Sequence, residues 1–324
     1  MLKRLTAVIL LLILLIQGCA LGEEESSSVY RVVSEKHKIY GLADTGWLIE
    51  HWTQKYIPDN TIKQAKSFNK VMSAFRRSVK TYVYLINSSR TMNLDDITGD
   101  PPVWTVIQEN YPDSTIDSLK IDSLETYQQY FYKTDHHWNY YASYLGYKQI
   151  IRMLLGEDEP LLEPVETVEF PVMFNGSYNK RLNRTDSDQP FTVYRFDYPE
   201  MTVRINGKKK AYGRQSAYFE GKINKKQKLT NHYAEFYGGD EGLVEFCTDR
   251  PEKENIIIFC NSFSNAIKML IASHFNHTYF MDLRHYQDDM HEKCNLTKSI
   301  KSWKVTKVML LGDGAFFSLG TTYR

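Results

Sequence analysis

Cysteine is scarce in this sequence, with four residues among 324, and no two of them are spaced as Cys-x-x-Cys. One of the four, Cys19, lies at the end of an apolar N-terminal run. The other three are Cys247, Cys260 and Cys294. Three cysteines form at most one disulfide, and paired zinc-binding thiols are missing. These observations exclude a disulfide scaffold and a zinc-finger type of protein.

A large charge of either sign is also missing, because the formal net charge is +1. No global field favours nucleic acid, so we expect no nucleic-acid partner. Hydrophobic residues make up 42% and charged residues 24%, which is typical of a globular protein and argues against disorder. Aromatic residues are abundant, with 23 Tyr, 16 Phe and 5 Trp. Aromatic-rich clefts often bind carbohydrate, but tyrosine also packs well in strands and cores, so both interpretations stay open.

The apolar run at the N-terminus, residues 7–16, is too short to span a bilayer comfortably. Two basic residues precede it and a glycine and Cys19 follow it, which is the order of a secretory signal. The cysteine at this place also resembles a bacterial lipobox. We therefore predict a signal peptide at 1–18 and a lipidated Cys19 with its polar tether at 19–29. The alternatives are a plain signal peptide and an uncleaved anchor. The prediction places the remaining domain, 30–324, outside the cytoplasm and attached to the membrane by a lipid anchor.

Two segments show the alternation of helix and strand that is typical of an α/β fold. Residues 61–80 have apolar positions spaced for one buried helix face, and residues 82–86 follow as a β-rich apolar run. Further strands are predicted at 256–260 and at 305–311. Residues 95–112 contain several prolines and a glycine, so we predict a loop there. In an α/β fold, ligands collect at the carboxyl ends of the strands.

Residues of about 165–230 differ from the rest, because helical periodicity fades and β-favouring runs alternate with turns. Asn206 and Gly207 form the strongest short hairpin signal in the chain. We predict a β-rich insertion within the α/β domain. Its second half, 204–228, is strongly basic, which fits either a surface for an acidic polymer or an ordinary solvated hairpin.

Catalytic chemistry is most concentrated at positions 135–138, where an aspartate, two histidines and a tryptophan are consecutive. Asp135 and His137 lie two residues apart, so an extended or turn segment projects them to the same side. A helix is predicted to follow as far as about residue 155, with Asn139 as its N-cap. A histidine that a carboxylate orients is a general base, and it needs a nucleophile.

Ser262 is the best nucleophile candidate, because it follows the apolar strand at 256–260 and precedes a helical run. A strand end is rigid, and the amides at a helix start favour developing negative charge. Ser264 lies too far into the helix start to compete well, and a serine that only caps the helix is the alternative for Ser262. Together with Asp135 and His137 it completes a Ser-His-Asp set, which is recognised by roles and not by chain order. The amide of Ser262 and the turn at Gly239 are the predicted oxyanion donors.

These motifs resemble the bacterial DHHW proteins. The resemblance rests on positions 135–138, on Ser-Phe-Ser-Asn-Ala at 262–266 and on Asp-Leu-Arg at 282–284, and it covers about 61–306. DHHW proteins are similar to the SGNH-hydrolase branch that includes the alginate O-acetyltransferases AlgJ and AlgX. The resemblance implies a flavodoxin-like three-layer α/β/α SGNH-type domain with permuted motif order. It also implies an Asp135–His137–Ser262 triad acting on acetyl esters of cell-envelope polysaccharide, no cofactor, and an acyl-transfer partner that is a polytopic membrane protein.

Two positions depart from the family pattern: Asn261 stands where the family usually has aspartate, and Asp240 where relatives often have asparagine. A carboxylate near a developing oxyanion is unfavourable unless it points away or is protonated. An inactive glycan-binding or structural lipoprotein on the same scaffold is therefore the alternative function. Asn261 itself is a candidate contact to the oxyanion or substrate.

The residues next to Asp135 and His137 in the motif, His136 and Trp138, allow further interpretations, one of which is a metal site. A metal site of Asp135, His136 and His137, joined by His232 or His285, is a third interpretation. Neighbouring histidines rarely face one ion, and no HExxH motif is present, so we expect no metal. We assign His136 to packing or hydrogen bonding, and Trp138 to packing the loop or to flooring a sugar site.

Overall fold

The structure is a computed structural model. It describes residues 30–42, 45–50, 58–89, 102–210, 223 and 229–324. The predicted signal peptide at 1–18 and the tether at 19–29 lie outside the described residues. Within the described ranges, no helix is both long enough and apolar enough to cross a membrane.

Thirteen strands are found in the described ranges: β1 Tyr30–Ser34, β2 Ile39–Leu42, β3 Leu48–Glu50, β4 Lys80–Ile86, β5 Ser114–Leu119, β6 Glu166–Met173, β7 Pro190–Arg195, β8 Thr202–Ile205, β9 Lys208–Lys210, β10 Leu243–Cys247, β11 Asn255–Cys260, β12 His277–Met281 and β13 Lys307–Asp313. The α-helices there are α1 Pro58–Met72, α2 Pro102–Asn110, α3 Leu124–Tyr130, α4 Tyr140–Leu155, α5 Ser177–Arg181, α6 His232–Tyr237, α7 Lys268–Ala272, α8 Tyr286–Met290, α9 Leu296–Ser302 and α10 Gly314–Phe317. Two 3-10 turns, Ser73–Phe75 and Ser262–Ala266, follow α1 and β11.

An eight-stranded sheet in the order β5-β4-β13-β11-β12-β10-β8-β9 forms the centre of the molecule. The first five strands are parallel, and β10, β8 and β9 extend the sheet in antiparallel pairs. β11 pairs with β13 on one side and with β12 on the other. Its carboxyl end therefore lies in the interior of the parallel part, where α/β proteins place their ligands.

The sheet has helices on both faces, because its strand residues alternate between two apolar clusters. In β11, Ile256 and Ile258 pack with α3, α4 and α7, whereas Ile257 and Phe259 pack with α1, α2, α9 and α10. Three layers result, with the sheet in the middle. This architecture confirms the predicted α/β/α fold.

Most predicted elements are found within a few residues of their expected bounds. The helix predicted at 61–80 is α1 with its 3-10 turn, and the strands predicted at 82–86, 256–260 and 305–311 are β4, β11 and β13. The loop predicted at 95–112 is wrong over the part that the structure describes, because α2 occupies residues 102–110. Pro102 lies at the start of that helix, where proline is tolerated. The buried face of the helix carries Val103 and Ile107.

The segment in which the β-rich insertion was predicted contains β6 to β9. β6 and β7 form a two-stranded antiparallel sheet with a small apolar cluster of its own, shared with α6. β8 and β9 form the hairpin predicted at Asn206 and Gly207, which take positive φ values of 50° and 76°. The three lysines of β9 are exposed. Most of the remaining basic stretch, 211–222 and 224–228, lies outside the described residues, and the insertion bounds at 165 and 230 stay a prediction.

Candidate active site

The loop that carries the aspartate and the two histidines lies between α3 and α4 and closes on itself. Phe131 and Trp138 form a β-bridge across it, and the amide of Tyr132 donates to the carbonyl of His137 at 3.2 Å. Asn139 caps α4 as predicted, because its Oδ1 accepts from the amides of Tyr141 at 3.0 Å and Ala142 at 3.1 Å. The loop is therefore held at both ends, with positions 135–137 at its tip.

Asp135 and His137 meet directly, as their two-residue spacing predicted. One carboxylate oxygen, Oδ1, accepts from His137 Nδ1 at 2.6 Å and from the His137 amide at 2.9 Å. The other, Oδ2, accepts from the amide of Ser177 at 2.6 Å. Asp135 is fully buried and His137 is 4% exposed. With Nδ1 donating to the carboxylate, the imidazole presents the lone pair of Nε2 on its other side.

Ser262 lies on that other side. It is the first residue after Asn261, which follows β11, and its Oγ is 2.8 Å from His137 Nε2. The segment after it begins as a 3-10 turn and becomes α7 only at Lys268. Ser264 is buried, and its Oγ donates to the carbonyl of Asn261 at 2.9 Å. The structure thus brings Asp135, His137 and Ser262 into one chain of hydrogen bonds, with links of 2.6 and 2.8 Å.

The carboxylate of Asp135 is held in its charged form. Burial alone would raise its pKa, but the charges of His137 and His136 and the hydrogen bonds from His137 and the Ser177 amide outweigh burial. The pKa of Asp135 therefore lies well below its ordinary value. A charged carboxylate fixes the tautomer of His137 and stabilises the imidazolium that forms when the ring accepts a proton.

The tight approach of α5 to the loop depends on a glycine. Gly176 precedes the donor Ser177, and a Cβ at this position would lie 2.3 Å from the carbonyl oxygen of Thr134 and 2.5 Å from Asp135 Cβ. Real Cβ atoms do not approach so closely, so only glycine lets the Ser177 amide reach the carboxylate. Sequence analysis missed both residues, because they lie some forty positions after the motif and no motif marks them.

Tyr233 on α6 is a third residue that sequence analysis missed. Its ring stacks on the imidazole of His137, with centroids 3.7 Å apart and planes 3° from parallel. Its hydroxyl donates to the carbonyl of Ser262 at 2.9 Å. Burial, followed by the neighbouring Tyr237, raises the pKa of Tyr233 well above its ordinary value, so the phenol stays protonated and donates. One side chain thus contacts the imidazole and the serine turn together.

Trp138 and His136 have different environments from each other. Trp138 is fully buried, and its indole N–H donates to the carbonyl of Phe263 at 3.0 Å. This position agrees with loop packing, whereas the predicted substrate role is wrong because no part of the ring is exposed. His136 lies at the edge, where Nδ1 is 3.1 Å from the hydroxyl of Ser177. His136 therefore has a hydrogen-bonding position, and its predicted contact with substrate stays a prediction.

Asn261, the first departure from the family pattern, is 5% exposed and holds the serine turn in place. Its Nδ2 donates to Asp313 Oδ1 at 2.9 Å, and its Oδ1 accepts from the Phe263 amide at 3.4 Å. Asp313 ends β13, so this bond ties the turn to the neighbouring strand. The side-chain amide of Asn261 therefore stabilises this turn. Its role as a contact to the oxyanion or substrate stays a prediction.

Asp240, the second departure, is paired with Arg284, a cation that it shares with Asp282. Its Oδ2 accepts from Arg284 Nη2 at 2.8 Å, and its Oδ1 accepts from Asn265 Nδ2 at 3.1 Å. Burial would lower the pKa of Arg284, but Asp282 and Asp240 raise it instead, so the guanidinium stays charged. The pair with Arg284 weakens the expected objection to a carboxylate at this position, because the shared guanidinium offsets part of the charge of Asp240 and Asp282.

The turn at Gly239 lies next to the serine turn. Gly238 has a φ of 88°, and its carbonyl accepts from Asn265 Nδ2 at 3.4 Å. The contact joins this turn to the 3-10 turn that begins at Ser262. The oxyanion role of Gly239 stays a prediction.

Two groups of side chains lie close enough together to hold a metal ion, among the residues that the structure describes. Asp135, His136 and His137 form one group, and Asp240, Asp282 and His285 form the other. His285 therefore lies away from the first group. His232 belongs to neither group, and its Nδ1 accepts from the Asn175 amide at 2.8 Å while its ring stacks on Phe191. In the first group, the carboxylate of Asp135 accepts hydrogen bonds from His137 and from the amide of Ser177, and the imidazole of His137 is hydrogen-bonded to Ser262 on its other side.

Comparisons with solved structures identify the fold. PatB1 of Bacillus cereus, solved with a sulfonyl adduct, matches with a TM-score of 0.63 and 18% identity over 86% of this chain and 95% of PatB1. A DHHW family protein from Eubacterium siraeum matches with a TM-score of 0.63 and 18% identity over 90% of this chain and 95% of that one. The O-acetyltransferase domain of Pseudomonas putida AlgJ matches more weakly, with a TM-score of 0.43 and 8% identity over 85% of this chain and 90% of that one.

No family model matches the sequence, and no curated protein matches it. The solved structures confirm the similarity to a DHHW family protein and the α/β fold that the motifs predicted. At these identities the likeness is one of fold.

Proposed function

We propose that the protein is a serine esterase or O-acetyltransferase that acts on acetyl esters of cell-envelope polysaccharide. The observation that carries the proposal is the chain of hydrogen bonds from Asp135 through His137 to Ser262, with links of 2.6 and 2.8 Å. These lengths match the distances over which a catalytic base and nucleophile exchange a proton. PatB1, which shares the fold, has been solved with a sulfonyl adduct, which supports a nucleophile in a protein of this architecture.

The first half of the reaction forms an acetyl-enzyme. Ser262 Oγ attacks the ester carbonyl carbon while His137 Nε2 accepts the hydroxyl proton, and Asp135 stabilises the imidazolium. Negative charge develops on the carbonyl oxygen, where the Ser262 amide and the turn at Gly239 are the proposed donors. The imidazolium then gives its proton to the departing oxygen as the ester bond breaks. The acetyl group remains on Ser262 Oγ.

The second half decides between the two activities. If water attacks the acetyl-enzyme, with His137 accepting its proton, acetate leaves and the protein is an esterase. If a sugar hydroxyl attacks, the acetyl group moves to the glycan and the protein is a transferase. Transfer also needs an acyl donor, and we propose that a polytopic membrane protein supplies it. Lipidation at Cys19 would keep the domain at the membrane, outside the cytoplasm.

The proposal is tested by labelling with a fluorophosphonate probe. We expect one label per wild-type molecule on Ser262, and no label on Ser262→Ala. The matched control is Ser264→Ala, two residues away, whose buried hydroxyl donates to the carbonyl of Asn261. That variant should retain the label. Labelling of Ser262→Ala at the wild-type rate, or no labelling of the folded wild type, would contradict the proposal. The second of these results would favour the alternative of an inactive glycan-binding lipoprotein.

A further inference from the structure

A cysteine, a histidine and a glutamate meet at the opposite end of the sheet from Ser262. Cys247 ends β10, and the strand register pairs it with His277, the first residue of β12. His277 also lies beside Asn255, the first residue of β11, whereas Ser262 follows the carboxyl end of that strand. The group of Glu245, Cys247 and His277, which we call the thiol cluster, is therefore separate from the candidate active site.

The thiol cluster places a nucleophile, a base and a carboxylate in order. Sγ of Cys247 is 3.6 Å from Nε2 of His277, and Nδ1 of the same ring is 3.1 Å from Oε1 of Glu245. A carboxylate that accepts from Nδ1 leaves the lone pair of Nε2 toward the thiol. Arg204 on β8 pairs with the other oxygen of Glu245 at 3.5 Å. Tyr279 lies beside the imidazole with ring centroids 5.9 Å apart, and burial raises the pKa of this phenol, so it stays neutral. A thiol, a base and a group that orients the base form the arrangement that activates cysteine in enzymes.

The other two cysteines that the structure describes have different surroundings. Burial raises the pKa of Cys260 to about 11, and burial together with Glu292 raises the pKa of Cys294 to about 12. Thiols of this kind are protonated and inert at neutral pH. Cys247 is partly exposed and the side chain of His277 is 27% exposed, so a small molecule has access to both. All three thiols are free.

We infer that Cys247 is a modification site, which forms a mixed disulfide with small disulfide molecules. His277 Nε2 accepts the proton of the thiol, and the resulting thiolate attacks one sulfur of the disulfide. The S–S bond of the small molecule breaks as the new S–S bond to Cys247 forms. The departing thiolate takes the proton from the imidazolium and leaves as a thiol. The disulfide itself is reduced, so the step needs no further oxidant, and it is independent of the function proposed for Ser262.

Reaction of the full-length protein with hydroxyethyl disulfide, an uncharged probe, tests the inference. Peptide mass spectrometry follows the mixed disulfide on each cysteine separately. At pH 7 we expect Cys247 to be modified at least about 10-fold faster than Cys294, a thiol that is also partly exposed but almost wholly protonated at this pH. Modification of Cys294 at the same rate as Cys247, or no modification of Cys247, would overturn the inference.

The substitution His277→Gln separates the action of the base from simple access to the thiol, because glutamine keeps a polar side chain but cannot accept the proton. An isolated thiol is only a few per cent thiolate at pH 7, and a more acidic thiol is a weaker nucleophile, so we expect the variant to react about 3- to 10-fold more slowly at Cys247. At about pH 10 an isolated thiol ionises without a base, and the variant should react at least as fast as wild type. The control is His37→Gln, a partly exposed histidine in the turn between β1 and β2, which should match wild type at both pH values.

Equal rates for wild type and folded His277→Gln at pH 7 would contradict the role of the imidazole. A variant that is slow at both pH values would do the same, because the ring would then control access to the thiol and not its ionisation. The comparison of Cys247 with Cys294 uses the wild-type protein, so it decides the inference even if His277→Gln does not fold.

Discussion

The substitution Asp135→Asn tests the centre of the proposed site, because it keeps the shape of the side chain and removes its charge. Three N–H groups converge on the two carboxylate oxygens: Nδ1 and the amide of His137, and the amide of Ser177. An asparagine has one accepting oxygen and one NH₂ group, so at least one of these donors would face another donor. The residue is fully buried, and water cannot replace the lost partner.

Two magnitudes follow from this geometry. A buried donor without a partner costs about 1–3 kcal/mol, so we expect the free energy of unfolding to fall by about that amount. An asparagine that turns its oxygen toward Ser177 would stabilise the wrong tautomer of His137, which protonates Nε2 and stops it from accepting the serine proton. The corresponding change in serine proteases lowers turnover by about 10⁴, and we expect fluorophosphonate labelling to slow by roughly 10³–10⁴.

The pH dependence of stability provides a second measurement on the same variant. The pKa of Asp135 is depressed in the folded state, so its charge stabilises the fold above the unfolded-state pKa of about 3.9. That contribution is lost as the pH falls through the folded-state pKa. Urea denaturation should therefore show the largest difference between wild type and Asp135→Asn above about pH 5, and a smaller difference below about pH 4.

The control for this series is Asp188→Asn, which removes an exposed carboxylate that is paired with Lys133 outside the site. Its labelling rate should equal that of wild type, and its stability should change by less than about 1 kcal/mol. If Asp135→Asn reacts with the probe within threefold of the wild-type rate, His137 is not oriented by Asp135, and the proposed mechanism is wrong.

Two further substitutions test how the site is supported. Gly146→Ala on α4 would place a Cβ 2.5 Å from the ring of Trp138. Because the buried indole must move, we expect the free energy of unfolding, measured by urea denaturation, to fall by about 1–3 kcal/mol. A variant as stable as wild type would mean that the ring has room to shift. Tyr233→Phe removes the hydrogen bond to the Ser262 carbonyl but keeps the stacked ring, so unfolding should become easier by about 1 kcal/mol. Tyr233→Leu should in addition slow probe labelling, and equal labelling rates for the two variants would show that stacking does not position His137.

The parts of the site that sequence analysis predicted share one property: each depends on chain-local features. Asp135 and His137 are two residues apart, and Asn139 caps the helix immediately after them. Ser262 follows a continuous apolar strand. For residues of this kind, the local pattern fixes both the backbone and the direction of the side chain.

The parts that were missed or wrongly assigned depend on contacts between distant segments. Tyr233 reaches the imidazole only because α6 packs beside the serine turn, and nothing around it in the sequence distinguishes it from the other 22 tyrosines. Asp240 is paired with Arg284, a partner 44 positions away. Trp138 is a packing residue because α4 places Gly146 against its ring. Such pairings are decided by tertiary packing, which a single sequence does not reveal.

The position of β13 has a consequence for how the protein is made. This strand, residues 307–313, lies between β4 at 80–86 and β11 at 255–260, and its Asp313 accepts a hydrogen bond from the side-chain amide of Asn261, beside Ser262. While the chain is still emerging from the ribosome, its first and middle strands have no common neighbour. The turn that carries Ser262 therefore cannot be assembled early, and we expect a chain interrupted before residue 307 not to complete the proposed site.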